Sequence, residues 1–141
     1  MIAAEFDYVA PESLDEVMTA LRDGGEDAKL LAGGHSLIPL MKLRLAAPTL
    51  LVDLRRVPGL SGIQRENGTL RIGPMTTHTE VSDAGLGLLS AVAELIADPQ
   101  VRNRGTLGGS LAHGDPASDQ LAIMLITEAT MTIRGTLVQI N

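Results

Sequence analysis

The stretch LLAGGHSLIPLMKLRL, residues 30–45, constrains the fold more than any other part of the chain. An apolar run passes through two glycines and a serine into a second apolar run that carries basic residues, the pattern of a strand, a tight turn and a helix. No G-x-G-x-x-G and no Walker lysine accompany it. Upstream, residues 5–9 hold Phe, Tyr and Val, stop before Pro11 and read as a strand. Ser13 and Glu16 then form an S-x-x-E capping box. Leu14, Val17, Met18 and Leu21 recur at helical spacing, so one stripe is expected to face inward, and Gly24-Gly25 ends the helix. Residues 28–32 read as a strand, Ser36 as a candidate N-cap, 37–45 as a helix with Pro39 in its tolerant first turn, and 50–54 as a buried strand. Strands separated by helices pair through crossovers, so residues 1–57 are expected to form a parallel βαβαβ unit.

After Pro58-Gly59 the pattern changes. Asn67-Gly68 stands between alternating residues of 63–72, the strongest hairpin signal in the chain, so the sheet there is expected to be antiparallel. Residues 77–83 and 88–97 suit helices, and 101–113 reads as a long glycine-rich loop. Asp115-Pro116 is expected to open a helix reaching about residue 127. Residues 130–133 and 136–140 alternate as strands around Gly135. The apolar Met131, Ile133, Leu137, Val138 and Ile140 would leave an unpaired edge there. The sequence therefore divides into residues 1–57 and 58–141, two subdomains of an α/β (α+β) fold.

Composition limits the function. With 141 residues, 45% of them hydrophobic, the chain can bury a core, but Phe6 and Tyr8 are its aromatic residues, so that core is aliphatic. Stacking platforms for single-stranded nucleic acid are missing, and a net charge of −6 disfavours a phosphate backbone as partner. The absence of cysteine excludes thiolate catalysis and iron–sulfur ligation within the chain, so any such centre must sit on a partner. An acidic N-terminus and no apolar run of roughly 18 residues argue against a signal peptide and a membrane span, which makes a cytoplasmic location the expectation.

Residues 102–119, RNRGTLGGSLAHGDPASD, repeat the chemistry of the first loop: Gly-Gly followed by a small hydroxyl residue. Adjacent glycines let a backbone approach a ligand and line up N–H groups for anionic oxygens, and Ser36 and Ser110 each add a hydroxyl. In an acidic chain, peptide dipoles rather than lysines could hold a pyrophosphate, and two such loops could grip one dinucleotide from both sides. Each loop also reads as a plain tight turn. Asp115 suits an N-cap as well as a cofactor contact, and Asp119 a position favoured by the positive helix end. Arg102 and Arg104 read as loop anchors or partner contacts. His35, His78 and His113 lack metal-ligand spacing, so no metal site is expected. Nothing resembles a Ser-His-Asp hydrolase.

AGGHSLIPLMKLRL, VRNRGTLGGSLAHGDPASD and, less specifically, GPMTTHTEV resemble the FAD-binding medium subunit of molybdenum hydroxylases. The likeness is to the carbon monoxide dehydrogenase medium-subunit type and to the FAD domain of xanthine dehydrogenase, and it runs from Tyr8 to about Gly135. It implies a PCMH/vanillyl-alcohol-oxidase fold, two α/β subdomains with FAD between them. By the same resemblance Leu31, Ala32, Gly33, Gly34, His35 and Ser36 would wrap the pyrophosphate from one side, and Thr106, Gly108, Gly109 and Ser110 would meet it from the other. Asp119 would accept hydrogen bonds from FAD hydroxyls, and Ile96 would lie near the flavin.

The implied function is that of an oxidoreductase subunit. FAD takes electrons from a 2Fe–2S small subunit and passes them to an external acceptor, while a molybdopterin-binding large subunit oxidises the substrate, all within a hetero-oligomer. A quinone, NAD or oxygen remains open as the acceptor. Family members continue into a further C-terminal domain, so the second subdomain is expected to be truncated, and residues 80–95 are shorter than usual. Two other readings stay open: a non-catalytic docking scaffold, and a small nucleotide-binding module with another phosphate ligand.

Overall fold

A computed structural model describes residues 2–133. β1 (Asp7–Val9), β2 (Ala28–Leu31) and β3 (Leu50–Asp53) form a parallel three-stranded sheet in the order β1-β3-β2. Tyr8 stands opposite Leu51, and Leu30 opposite Val52. Successive residues of a strand point to opposite faces, and β3 uses both. Val52 packs with Val17 and Val57 beneath α1 (Leu14–Gly24), whereas Leu51 packs with Leu31 and Met41 beneath α2 (Leu37–Lys42). The sheet is thus a layer between two helices, and the expected βαβαβ unit is present.

Local details depart from the sequence reading. The Ser13 hydroxyl caps α1 by accepting the Glu16 N–H at 3.2 Å, but Glu16 turns its carboxylate to the N–H of Glu12 at 2.8 Å, so the box closes one residue early. α2 stops at Lys42 rather than at residue 45. Arg44 adopts a left-handed φ of 57°, and the Leu45 N–H returns to the Leu40 carbonyl at 2.9 Å, folding the chain back toward β3.

The hairpin follows as read. β4 (Ile63–Glu66) and β5 (Thr69–Ile72) pair antiparallel, with Asn67 at φ 50° and Gly68 at φ 79°, the left-handed pair that a two-residue turn requires. α3 (His78–Asp83), α4 (Leu88–Leu95), α5 (Pro99–Arg102), α6 (Leu107–His113) and α7 (Asp119–Ile126) follow. Val81, Leu89, Ala93 and Ile123 form their core, and Ile63 and Ile72 of the hairpin pack against it. Fully buried Thr76 ties the hairpin's base together, its hydroxyl bonded to both N–H and carbonyl of Gly62.

Three expectations in this half are corrected. Residues 101–113 are not one long loop but the end of α5, a short connection and α6. The last helix begins at Asp119 rather than beside Asp115-Pro116. There the Asp115 carboxylate takes the Ala117 N–H and its carbonyl takes the Ser118 N–H at 2.8 Å, closing a turn that delays the helix. Residues 130–133 form no strand among the described residues, because no neighbouring strand offers them a ladder. The strand read at 136–140 lies outside the described residues.

Candidate functional site

The first glycine segment leaves the sheet at the carboxyl end of β2. The Leu31 side chain is buried in the sheet's core, so it offers a ligand only its backbone. Ala32, Gly33 and Gly34 are half-buried, and Gly34 takes φ 77°, a conformation that side chains rarely adopt. A methyl group built on Gly33 would run into the Arg104 carbonyl oxygen, so this glycine is required where the two loops touch. His35 is exposed, its ring Nδ1 3.0 Å from the Gly33 carbonyl oxygen. Ser36 occupies the N-cap position of α2, but with φ −103° and ψ −49° it is already helical and its hydroxyl makes no cap bond. The N–H groups of Gly33, Gly34, His35 and Ser36 find no acceptor among the described residues. What the segment offers is a short run of free donors and one uncommitted hydroxyl.

The second glycine segment is built differently. Thr106 is buried and caps α6, its hydroxyl accepting the Gly109 N–H at 3.2 Å. The Leu107 N–H goes to the Thr76 carbonyl and the Gly108 N–H to the Pro74 carbonyl, both at 2.9 Å, and the Ser110 N–H to the Thr106 carbonyl at 3.0 Å. Every backbone donor from Leu107 to Ser110 is therefore engaged within the protein. A Cβ on Gly108 would lie 2.5 Å from the Pro74 Cβ, so the glycine admits the start of α6 against residues 74–76. Side-chain hydroxyls, not N–H groups, are what this segment has left for a ligand.

His78 joins the second segment to the rest of the fold. The residue is 2% exposed, with ring Nε2 3.1 Å from the Ser110 hydroxyl oxygen and Nδ1 2.8 Å from the amide nitrogen of buried Gln120 on α7. Burial pushes its pKa below the ordinary imidazole value. Sequence reasoning set this residue aside with the other histidines. The signal that locates it is Thr77-x-x-Glu80, a capping box present in the structure, which makes His78 the first residue of α3 and puts it on the buried face with Val81.

Two cavities lie along the seam between the loops. One, of about 170 Å³, is lined by Ser36 from the first segment and Ser110 from the second, with His113, Asp115 and Ser118. The other, of about 190 Å³, is lined by Ala32 and Gly33 on one side and by Asn103, Arg104 and Thr106 on the other, with Arg55 at its edge. Arg55 is held by Asp53, which is fully buried at the end of β3. That carboxylate accepts from Arg55 Nε at 2.6 Å, from the Arg55 N–H at 2.8 Å and from the Tyr8 hydroxyl at 2.7 Å. The bond to Asp53 raises the Tyr8 phenol above its ordinary value.

The structure thus brings together Ala32, Gly33, Ser36, Thr106 and Ser110 around the two cavities. Gly34, His35, Gly108 and Gly109 stand within the same two segments. Asp119 and Ile96 line neither cavity. Asp119 is exposed in the first turn of α7, and Asp115, four residues earlier, lines the cavity instead. Ile96 packs on the core of Val81 and Leu89, and its carbonyl accepts from Arg102 Nη1 at 3.0 Å, which makes Arg102 a loop anchor. Among the described residues no cluster of His, Asp or Glu could hold a metal ion, and no helix is long and apolar enough to cross a membrane.

A run of free N–H groups beside cavities lined by Ser36, Ser110 and Thr106, with no lysine in either lining, fits a pyrophosphate held by backbone dipoles. The comparisons with known proteins give the family. The family described as FAD binding domain in molybdopterin dehydrogenase matches residues 4–139. The chain is 49% identical to the carbon monoxide dehydrogenase medium chain of Hydrogenophaga pseudoflava, over 96% of this chain and 49% of that one. It is 46% identical to the 6-hydroxypseudooxynicotine dehydrogenase complex subunit alpha of Paenarthrobacter nicotinovorans, over 92% and 46%. The solved carbon monoxide dehydrogenase from Hydrogenophaga pseudoflava that lacks the Mo-pyranopterin moiety superposes with a TM-score of 0.85 at 52% identity, covering 87% of this chain and 45% of that one. The chain belongs to the FAD-binding domain family of molybdopterin dehydrogenases, and its fold and cofactor are those of that family. It spans about half the length of the curated relatives it matches.

Proposed function

We propose that this chain is the flavin-carrying part of a molybdenum hydroxylase of the carbon monoxide, xanthine or aldehyde dehydrogenase type. In it, electrons pass from a 2Fe–2S subunit through FAD to an external acceptor, and a molybdopterin subunit oxidises the substrate. The observation that carries this reading is the run of free N–H groups from Gly33 to Ser36, whose last residue, Ser36, lines one cavity with Ser110 and whose first, Gly33, lines a second with Thr106. Gly33, Gly34, His35 and Ser36 hold the pyrophosphate by backbone N–H groups, with Leu31 and Ala32 supplying backbone at the strand exit. Thr106 and Ser110 supply hydroxyls, while Gly108 and Gly109 let α6 start close to the seam. Asp119 and Ile96 belong to the proposal by family likeness alone. Residues 1–57 and 58–141 act as the two subdomains, a division supported by core clusters that draw on residues up to Leu60 on one side and from Ile63 onward on the other.

When bound, FAD supplies the conversion between one-electron and two-electron transfer. The chain's own residues orient the cofactor and set the electrostatics around its phosphates. These 141 residues contain no cysteine, so they hold no thiolate-ligated iron–sulfur centre of their own. Purified full-length protein incubated with FAD tests the cofactor. A yellow protein that keeps stoichiometric flavin through gel filtration supports the reading, and a colourless one transfers the glycine seam to another phosphate ligand or to a docking role. Co-expression with candidate iron–sulfur and molybdopterin subunits tests the partners, and recovery of the tagged chain alone would remove electron transfer as its role.

A further inference from the structure

We infer that His78 is a positioning residue for the cofactor's phosphates, acting through Ser110: held by Gln120, its ring donates to the Ser110 hydroxyl and so leaves the hydroxyl proton free to be given to an anionic oxygen. The inference rests on the flavin reading above and adds a residue that no glycine motif contains.

The orientation of the Gln120 amide sets the direction of each bond. An amide nitrogen can only donate, and the Gln120 amide nitrogen lies 2.8 Å from Nδ1, so Nδ1 is the acceptor and the ring proton sits on Nε2. Nε2 lies 3.1 Å from Ser110 Oγ. The ring therefore fills a lone pair of the hydroxyl and does not receive its proton, and Ser110 lines the same cavity as Ser36 from the opposite loop. The arrangement is closely packed. His78 and Gln120 are 2% and 3% exposed, the His78 N–H is bonded to the Gly105 carbonyl at 3.0 Å, and a Cβ on Gly105 would lie 2.9 Å from the ring's Cδ2. The backbone donors of Leu107 to Ser110 are all used inside the protein, so the Ser110 hydroxyl is the donor that this stretch retains, and its direction matters correspondingly more.

The tautomer is read first, on full-length protein with ¹⁵N-labelled histidine. The ring-nitrogen shifts and two-bond couplings of His78 should report a neutral imidazole protonated at Nε2 at pH 7, with and without FAD. A ring protonated at Nδ1, or at both nitrogens, overturns the inference.

The second measurement is a double-mutant cycle on the dissociation constant of FAD, followed by flavin fluorescence. Ser110→Ala should weaken binding about tenfold, the effect of one hydrogen bond to a charged group. His78→Leu should weaken it by a similar factor in the native background, but by less than about twofold once Ser110 is alanine. His78→Gln, which keeps an N–H donor at similar reach, should recover most of the loss. An undiminished loss from His78→Leu in the Ser110→Ala background makes His78 a packing residue and overturns the inference. If Ser110→Ala binds FAD as tightly as the native chain, the inference fails while the flavin reading stands. If the native chain binds no FAD, both fall.

Discussion

At Gly33-Gly34 the backbone leaves a strand with its N–H groups uncommitted and one residue at φ 77°, whereas at Gly108-Gly109 the backbone is the first turn of a helix with every N–H taken up inside the protein. Both stretches carry two glycines followed closely by a serine, and both border the same seam. The difference comes from what lies next to each. The first loop is pressed against one carbonyl, that of Arg104, while the second is stitched by Pro74, Thr76 and Thr106 into the base of the hairpin. Glycine admits neighbouring backbone in both places, but the first segment keeps its donors free for a ligand and the second has spent them. The two sides of the seam should therefore fail differently when altered.

A large loss of stability is expected at Gly108. Valine there meets Pro74 at a distance no side-chain carbon tolerates, and overpacking of this kind costs about 3 kcal/mol. Urea unfolding of the cofactor-free protein should show the full drop. A variant with the native midpoint would mean that α6 is not held against residues 74–76, and the contrast between the loops would collapse. Thr106→Ala should cost about 1 kcal/mol by removing the N-cap and freeing the Gly109 N–H, again before any cofactor is added.

Acid should act on the second side as well. His78 is buried with its pKa held below the ordinary imidazole value, so as pH falls the unfolded chain takes up the proton first. Its contribution to stability is complete above that ordinary value and is lost as pH drops through it toward the lower folded-state pKa. One proton limits the slope to about 1.4 kcal/mol per pH unit. The unfolding midpoint should fall more between pH 7.5 and 5 in the native protein than in His78→Gln, and equal slopes would show that the ring is not the group responsible.

Much of the first half was legible because its information is local. The stripe of Leu14, Val17 and Leu21, the glycines after it and the apolar strands on either side of Gly33 each announce their own element. Asn67-Gly68 did the same for the hairpin. The second side of the seam was misread where the deciding partners lie far along the chain. Two glycines inside a helix cost about 2 kcal/mol relative to alanine, so a loop was the natural reading of residues 101–113. Carbonyls of Pro74 and Thr76, some thirty residues earlier, reverse it. The helix start read at Asp115 lies at Asp119 because the Asx turn at Asp115 delays it. Residues 130–133 alternate like a strand, but alternation supplies no partner strand. The site was legible as a pair of loops, and the burial of His78 between them was not.

The smallest effect on the fold, and the sharpest test of the contrast, is expected at Ser36. Its hydroxyl makes no cap bond, it is exposed, and it lines the cavity that Ser110 enters from the other side. Surface changes without such a partner stay within about 0.5 kcal/mol, so Ser36→Ala should unfold at the native urea concentration. If the hydroxyl donates to a phosphate oxygen of FAD, its loss should weaken binding about tenfold. Thr106→Ala would show the reverse balance, a stability loss already present without cofactor. The pair therefore separates the two sides of the seam by experiment: one alteration read in flavin titration alone, the other in unfolding. Should Ser36→Ala lower the unfolding midpoint as much as Thr106→Ala does, its hydroxyl belongs to the scaffold after all, and the first loop's free donors lose the side-chain partner that marks them as a binding edge.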